Sequence, residues 1–238
     1  TDEKKQVLET VAETTNGRIP LVVGVGGNNT AAVCAQLEAG LPSGYTGVLS
    51  VSPYYNKPTQ EGIYQHYKAV CGSTDAPVIL YNVPGRTGSN VLANTVLRVA
   101  QDCPNAVAMK EASGNLEQAM AIIQSAPAGF DVLSGDDNLT LPLLACGAKG
   151  VISVSGQAYP RLFSGMVRDA RAGRLEDAQR AHYELFTFTQ LLFAEGNPGG
   201  IKAALAHLGL CDNVLRLPLV PVSDELNGKL RTLVAQLA

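Results

Sequence analysis

Val107-Ala108-Met109-Lys110-Glu111-Ala112 joins an uncharged apolar run to a lysine and a glutamate, with Gly114 and Asn115 close behind. A run such as 106–109, without a charge along its length, suits a strand buried on both faces of a parallel sheet. Lys110 then stands at the strand's carboxyl end, where α/β barrels and open α/β sheets assemble their sites. An amine held against apolar walls is desolvated. That disfavours the ammonium and leaves a nucleophile able to condense with a ketone. Two plainer readings stand beside this one: Lys110 extends its stem and keeps its charge in water, or it pairs with Glu111.

The same pattern recurs on both sides of this strand. Apolar strand candidates at 21–24, 47–51, 78–81, 106–110, 131–134 and 151–154 alternate with amphipathic helices at about 30–39, 60–70, 93–100, 116–125 and 139–146. Strands and helices alternating at this spacing predict right-handed βαβ units and a parallel sheet. A leading helix over 2–14 precedes them, and beyond Val154 the chain turns helical, at 159–172, 175–195, 200–208 and 224–237. Gly24-Val25-Gly26-Gly27-Asn28-Asn29 lacks the third glycine of a dinucleotide-binding loop, and no acidic residue ends the next strand at Val51-Ser52, so a dinucleotide fold is disfavoured. The expected fold is α/β, a (β/α)8 TIM barrel with a C-terminal helical extension. Residues 1–158 would supply strands 3 to 8, and 159–238 the last barrel helix and a helical region of the same domain. A barrel lacking its first two strands would end in raw edges, so the expectation is that two βα units, roughly fifty residues, lie before Thr1.

With 238 residues, 46% of them hydrophobic, the chain is long enough to bury a large core. A net charge of −3 and the lack of a basic run argue against a nucleic-acid or anionic-membrane partner. The five cysteines are far apart and form no C-x-x-C pair, which reads as reduced thiols in a cytoplasmic protein rather than a zinc site or a disulfide framework. His66, His182 and His207 each fall inside a helix without a second ligand at metal spacing, so no metal is expected. No apolar run reaches the roughly 18 residues of a membrane span.

The residues just after the strands are polar and specific. One strand ends in Ser52-Pro53-Tyr54-Tyr55-Asn56-Lys57-Pro58, with tyrosines where loop packing does not require them. Another ends in Tyr81-Asn82-Val83-Pro84-Gly85-Arg86-Thr87-Gly88, presenting a phenol and a guanidinium on a proline-stiffened loop. An arginine so placed suits bidentate capture of a carboxylate, or simply a surface ion pair. Ser134-Gly135-Asp136-Asp137 ends a third, where an aspartate can serve as a helix N-cap.

Taken together, the Tyr54-Tyr55-Asn56 loop, the 81–88 segment, Met109-Lys110-Glu111-Ala112-Ser113-Gly114-Asn115, Leu133-Ser134-Gly135-Asp136-Asp137 and Gly150-Val151-Ile152-Ser153-Val154 resemble the dihydrodipicolinate synthase family of pyruvate-dependent class I aldolases. The resemblance runs from the first residues to about Pro221. It implies a (β/α)8 barrel, usually a homotetramer, that condenses pyruvate with aspartate 4-semialdehyde on the route to lysine without a cofactor. Lys110 matches the Schiff-base lysine and Tyr81 the proton donor and acceptor beside it. Tyr55 matches a relay tyrosine lent across a subunit interface, and Arg86 the arginine that receives the aldehyde's carboxylate. Gly135 and Ile152 match positions whose backbone lines the substrate pocket. The family's Gly-Thr-Thr-Gly-Glu motif would lie before Thr1, a departure that leaves a non-catalytic barrel as an alternative. The other alternative is a neuraminate lyase, whose members lack the arginine matched by Arg86.

Overall fold

The computed structural model describes residues 2–237. They fall into two compact units, residues 2–133 and 134–237.

In the first unit, strands β1 (Leu21–Gly24), β2 (Tyr45–Val51), β3 (Val78–Asn82), β4 (Ala106–Glu111) and β5 (Asp131–Ser134, its last residue in the second unit) follow one another in sequence order across a sheet. The helices are α1 (Asp2–Thr15), α2 (Thr30–Glu38), α3 (Gln60–Gly72), the single turn α4 (Pro84–Thr87), α5 (Ala93–Asp102) and α6 (Leu116–Ser125). The helix starts follow capping chemistry: Asn29, Thr59 and Asn115 each accept a backbone N–H from the first turn of α2, α3 and α6.

Pairing is parallel from β2 to β4, with one register shift between Val78 and Ile79, and it sets Val51 beside Tyr81, Tyr81 beside Lys110, and Asn82 beside Glu111. Side chains alternate between faces along each strand. Val48, Val78, Leu80 and Met109 therefore share one face, and they are buried in a core with Ile63, Tyr67 and Val70 of α3 and Val96 and Val99 of α5. Ile63, Tyr67 and Val70 lie at helical spacing, so α3 lays one apolar stripe on the sheet. Each fully buried side chain of this size stabilises by about 1.5 to 3 kcal/mol relative to exposure. The opposite face carries Tyr81 and Lys110.

The second unit contains α7 (Thr140–Ala145), β6 (Gly150–Val151), α8 (Pro160–Arg171), α9 (Leu175–Phe193), α10 (Gly199–His207) and α11 (Asp224–Leu237). Its core gathers Phe163 and Met166 of α8, Leu185, Phe188 and Leu192 of α9, Ile201 of α10, and Leu226, Leu230 and Val234 of α11. Two elements depart from the sequence expectation. The strand expected over 151–154 stops at Val151: Ile152 N–H still reaches the Ser134 carbonyl, but beyond it Asp137 Oδ2 accepts Val154 N–H at 3.0 Å and Ser155 N–H at 2.7 Å and turns the backbone out of the sheet. The segment around Arg86, expected as a loop, is a helical turn begun by Pro84 at a first-turn position and ended by Gly88 at φ 76°, a left-handed conformation that glycine adopts without strain. Among the described residues no helix is long and apolar enough to cross a membrane.

Candidate active site

Lys110 is the fifth residue of β4 and Tyr81 the fourth of β3. Parallel register sets them side by side, and Lys110 Nζ lies 4.1 Å from the centroid of the Tyr81 ring. That is cation–π range, about 0.5 to 2 kcal/mol depending on how dry the contact is. Both side chains are half-buried. Burial pushes the Tyr81 phenol above its ordinary range, and the Arg86 guanidinium pulls it partly back. A protonated phenol beside an amine is a proton donor in place before any substrate arrives.

Glu111 follows Lys110 in sequence but lies on the other face of β4. Its carboxylate accepts from Asn82 Nδ2, the Ser113 N–H and Gln118 Nε2. The simple Lys110–Glu111 pairing considered from sequence is therefore not how Glu111 is held. A period-two count along β4 separates the two residues.

Arg86 is exposed on α4, and its charge reaches Tyr81. The tyrosine loop is tied to α4 through its backbone, Tyr55 N–H donating to the Thr87 carbonyl at 3.2 Å, and Asn56 Nδ2 donates to the Asn28 carbonyl at 3.3 Å. Tyr55 adopts φ 72°, left-handed for a bulky residue, which marks a conformation imposed by its surroundings. Its side chain is 87% exposed, so it is not packed into the Lys110–Tyr81 pair within this chain.

In the second unit, Gly135 lies at a tight turn in which the Ser134 hydroxyl donates to the Asp136 carbonyl at 2.7 Å. Ile152 N–H donates to the Ser134 carbonyl at 3.0 Å, continuing the ladder from the end of β5 past β6. Asp136 accepts Asn138 N–H at 3.1 Å, the capping role that the sequence allowed. The histidines are structural: His66 Nδ1 lies 2.9 Å from Thr30 Oγ1, His182 packs on Tyr183 and Phe186, and His207 Nε2 lies 2.9 Å from Asn227 Oδ1. Among the described residues no group of three or more His, Cys, Asp or Glu side chains is arranged to hold a metal ion.

Asn82 and Glu111, both buried, join half-buried Asn90 and Gln118 in a polar network on the face opposite Lys110, a set of partners that the motifs alone did not assign to them. The signal was present: period-two alternation from Lys110 places a carboxylate against the helix-covered core, where an acid requires partners.

The model of the dihydrodipicolinate synthetase family matches residues 1–237. A Flavobacterium psychrophilum protein named 4-hydroxy-tetrahydrodipicolinate synthase is 50% identical over 237 residues, covering 100% of this chain and 81% of its own length. A protein of the same name from Parabacteroides distasonis is also 50% identical over 237 residues, covering 100% of this chain and 80% of its own. Among solved structures, dihydrodipicolinate synthase from Aquifex aeolicus superposes with a TM-score of 0.95 at 40% identity, over 99% of this chain and 80% of that one. The Thermotoga maritima enzyme gives 0.96 at 40% identity, over 99% and 81%.

Proposed function

The chain belongs to the dihydrodipicolinate synthetase family, and from that premise we propose that it is a lyase forming 4-hydroxy-tetrahydrodipicolinate from pyruvate and L-aspartate 4-semialdehyde, in diaminopimelate and lysine biosynthesis. The observation that carries the assignment of the chemistry to residues is the 4.1 Å approach of Lys110 Nζ to the Tyr81 ring at the carboxyl ends of adjacent parallel strands.

In this reading neutral Lys110 attacks the ketone carbon of pyruvate. Tyr81 passes protons to and from the departing oxygen as water leaves, and an iminium results. The iminium draws electrons from the neighbouring methyl group, which gives up a proton to form an enamine. The enamine carbon bonds to the aldehyde carbon, and the new alkoxide takes up a proton. The aldehyde substrate's own amine then attacks the imine carbon, closing the ring and freeing Lys110. Every step moves a proton, and a phenol whose acidity is weakened by burial needs a partner to hand it on. Tyr55 is proposed as that partner, supplied from a second copy of the chain, which its 87% exposure accommodates. The resemblance assigns a homotetramer. Arg86 is proposed to hold the aldehyde's carboxylate, and Gly135 and Ile152 to offer backbone groups to substrate. The chemistry calls for no cofactor. We read the strands as part of a (β/α)8 barrel, of which this chain spans about 80% of the length seen in its relatives. The relatives do not favour the neuraminate-lyase or non-catalytic alternatives.

Pyruvate followed by borohydride is the direct test. Reduction of the Schiff base is expected to add mass to the peptide carrying Lys110; mass added at Lys57 or Lys149 instead would overturn the assignment.

A further inference from the structure

On the sheet face opposite the Lys110–Tyr81 pair, Asn82 and Glu111 stand in register at the ends of β3 and β4, with 0% and 3% of their surfaces exposed. Asn82 Nδ2 donates to both Glu111 carboxylate oxygens at 3.2 Å and to Asn90 Oδ1 at 2.7 Å. Glu111 also accepts Ser113 N–H at 2.6 Å and Gln118 Nε2 at 3.0 Å, so the turn after β4 and the first part of α6 are tied to the same carboxylate. Asn82 Oδ1 accepts Val91 N–H at 3.0 Å, and Asn90 Nδ2 donates to Gln118 Oε1 at 2.7 Å. Gln60 of α3 closes the outer edge, donating to the Asn90 carbonyl at 2.8 Å and accepting Leu92 N–H at 3.0 Å.

Packing alone does not require this arrangement. Removing a carboxylate from water is costly even when its oxygens are bonded, and well-packed apolar side chains of similar volume would join two strands at least as firmly. Directional bonds do what apolar contact does not, since they fix one register and one loop path. The segment that carries Arg86 leaves β3 immediately after Asn82 and returns to the Asn82 side chain at Asn90 and Val91. Lys110 and Tyr81 are the chain neighbours of the two residues whose side chains make the central bond.

We propose that Glu111 is a positioning residue for the reaction: its carboxylate, held by Asn82, Ser113 and Gln118, locks the ends of β3 and β4 so that Lys110 meets Tyr81, and through Asn82 it fixes the return of the Arg86 loop. The proposal rests on the reading of Lys110 as the Schiff-base lysine. Glu111→Gln points an amide at donors, and Asn82→Asp sets two carboxylates together. The double variant Asn82→Asp/Glu111→Gln exchanges donor and acceptor across the same contact.

The readout is the rate at which pyruvate becomes trapped on Lys110 by borohydride, per folded molecule, together with the KM of each substrate. Each single substitution is expected to slow trapping about tenfold or more and to raise the aldehyde's KM, as displacement of a reacting group does. The double variant should return to within about threefold of the unsubstituted rate, because the two sites are coupled. Gln118→Met, at a half-buried position on α6, removes one donor from Glu111 and should slow trapping about threefold with the fold intact; it decides the matter if the singles fail to fold. Normal trapping at Lys110 in Glu111→Gln and Gln118→Met would overturn the positioning role and leave the reaction assignment standing, as would a double variant no faster than the slower single. Absence of any adduct on Lys110 in the unsubstituted protein would overturn both.

Discussion

Lys110 and Glu111 are consecutive in the chain and have separate tasks because a strand turns successive side chains to opposite faces. The proposed nucleophile looks toward Tyr81, while the acid looks into a network of amides. Arg86 acts at the same scale through charge. If Arg86 holds the aldehyde's carboxylate as proposed, replacing it with alanine would remove a charge-assisted contact, a loss of about 2 to 4 kcal/mol in transition-state binding. The expected outcome is a kcat/KM for the aldehyde that falls far more than the KM for pyruvate rises. The guanidinium also lowers the Tyr81 pKa, so its removal should move the alkaline limb of the pH–rate profile upward. Steady-state kinetics with each substrate varied, across pH, checks both; an unchanged aldehyde KM and turnover would place substrate choice elsewhere.

At the level of elements, the ends of the strands and helices are set by competition for backbone hydrogen bonds. The strand after α7 ends early because Asp137 captures the Val154 and Ser155 N–H groups that a longer ladder would have used. Close approach matters as much in the helical unit. A Cβ built on Gly200, in the first turn of α10, would lie 2.3 Å from the Leu192 carbonyl oxygen and 2.7 Å from its Cα, both backbone atoms of α9. Gly200→Ala must therefore shift one helix against the other and is expected to cost about 3 kcal/mol or more, at the upper end for an overpacked contact. Gly165, inside α8, meets only the Arg168 side chain at 3.9 Å, and Gly165→Ala should instead stabilise by about 0.5 to 1 kcal/mol through helix propensity. Denaturant unfolding of the two variants side by side tests the contrast, and similar midpoints would contradict it.

Two buried histidines are expected to weaken the molecule in acid. His66, 3% exposed, is pushed down to about 4 by burial, against 6.5 for the free side chain, and burial lowers His182 as well. Between those pH values the unfolded chain binds a proton at this position that the folded chain refuses. Stability is therefore expected to fall as pH drops from 6.5 toward 4, by up to about 1.4 kcal/mol per pH unit and about 3 kcal/mol in all from His66. Unfolding measured at pH 7 and pH 4.5 should show the loss, and His66→Asn should flatten it; an equal slope in that variant would assign the acid sensitivity to other groups. Much of this molecule was legible in the chain alone. The alternation of apolar strands with amphipathic helices, the place of Lys110 at the end of an uncharged run and the polar residues after each strand all follow from periodicities of 2 and 3.6, which act between near neighbours and need no knowledge of the fold. The tertiary structure alone decided which side chains would meet. Asn82 finds Glu111 29 residues away, Asp137 finds Val154 17 residues away, and Tyr81 takes its place beside Lys110 through the register of β3 with β4. A buried polar group must be satisfied by whichever partner the packing delivers, and that partner comes from a distant segment whose arrival no local pattern encodes.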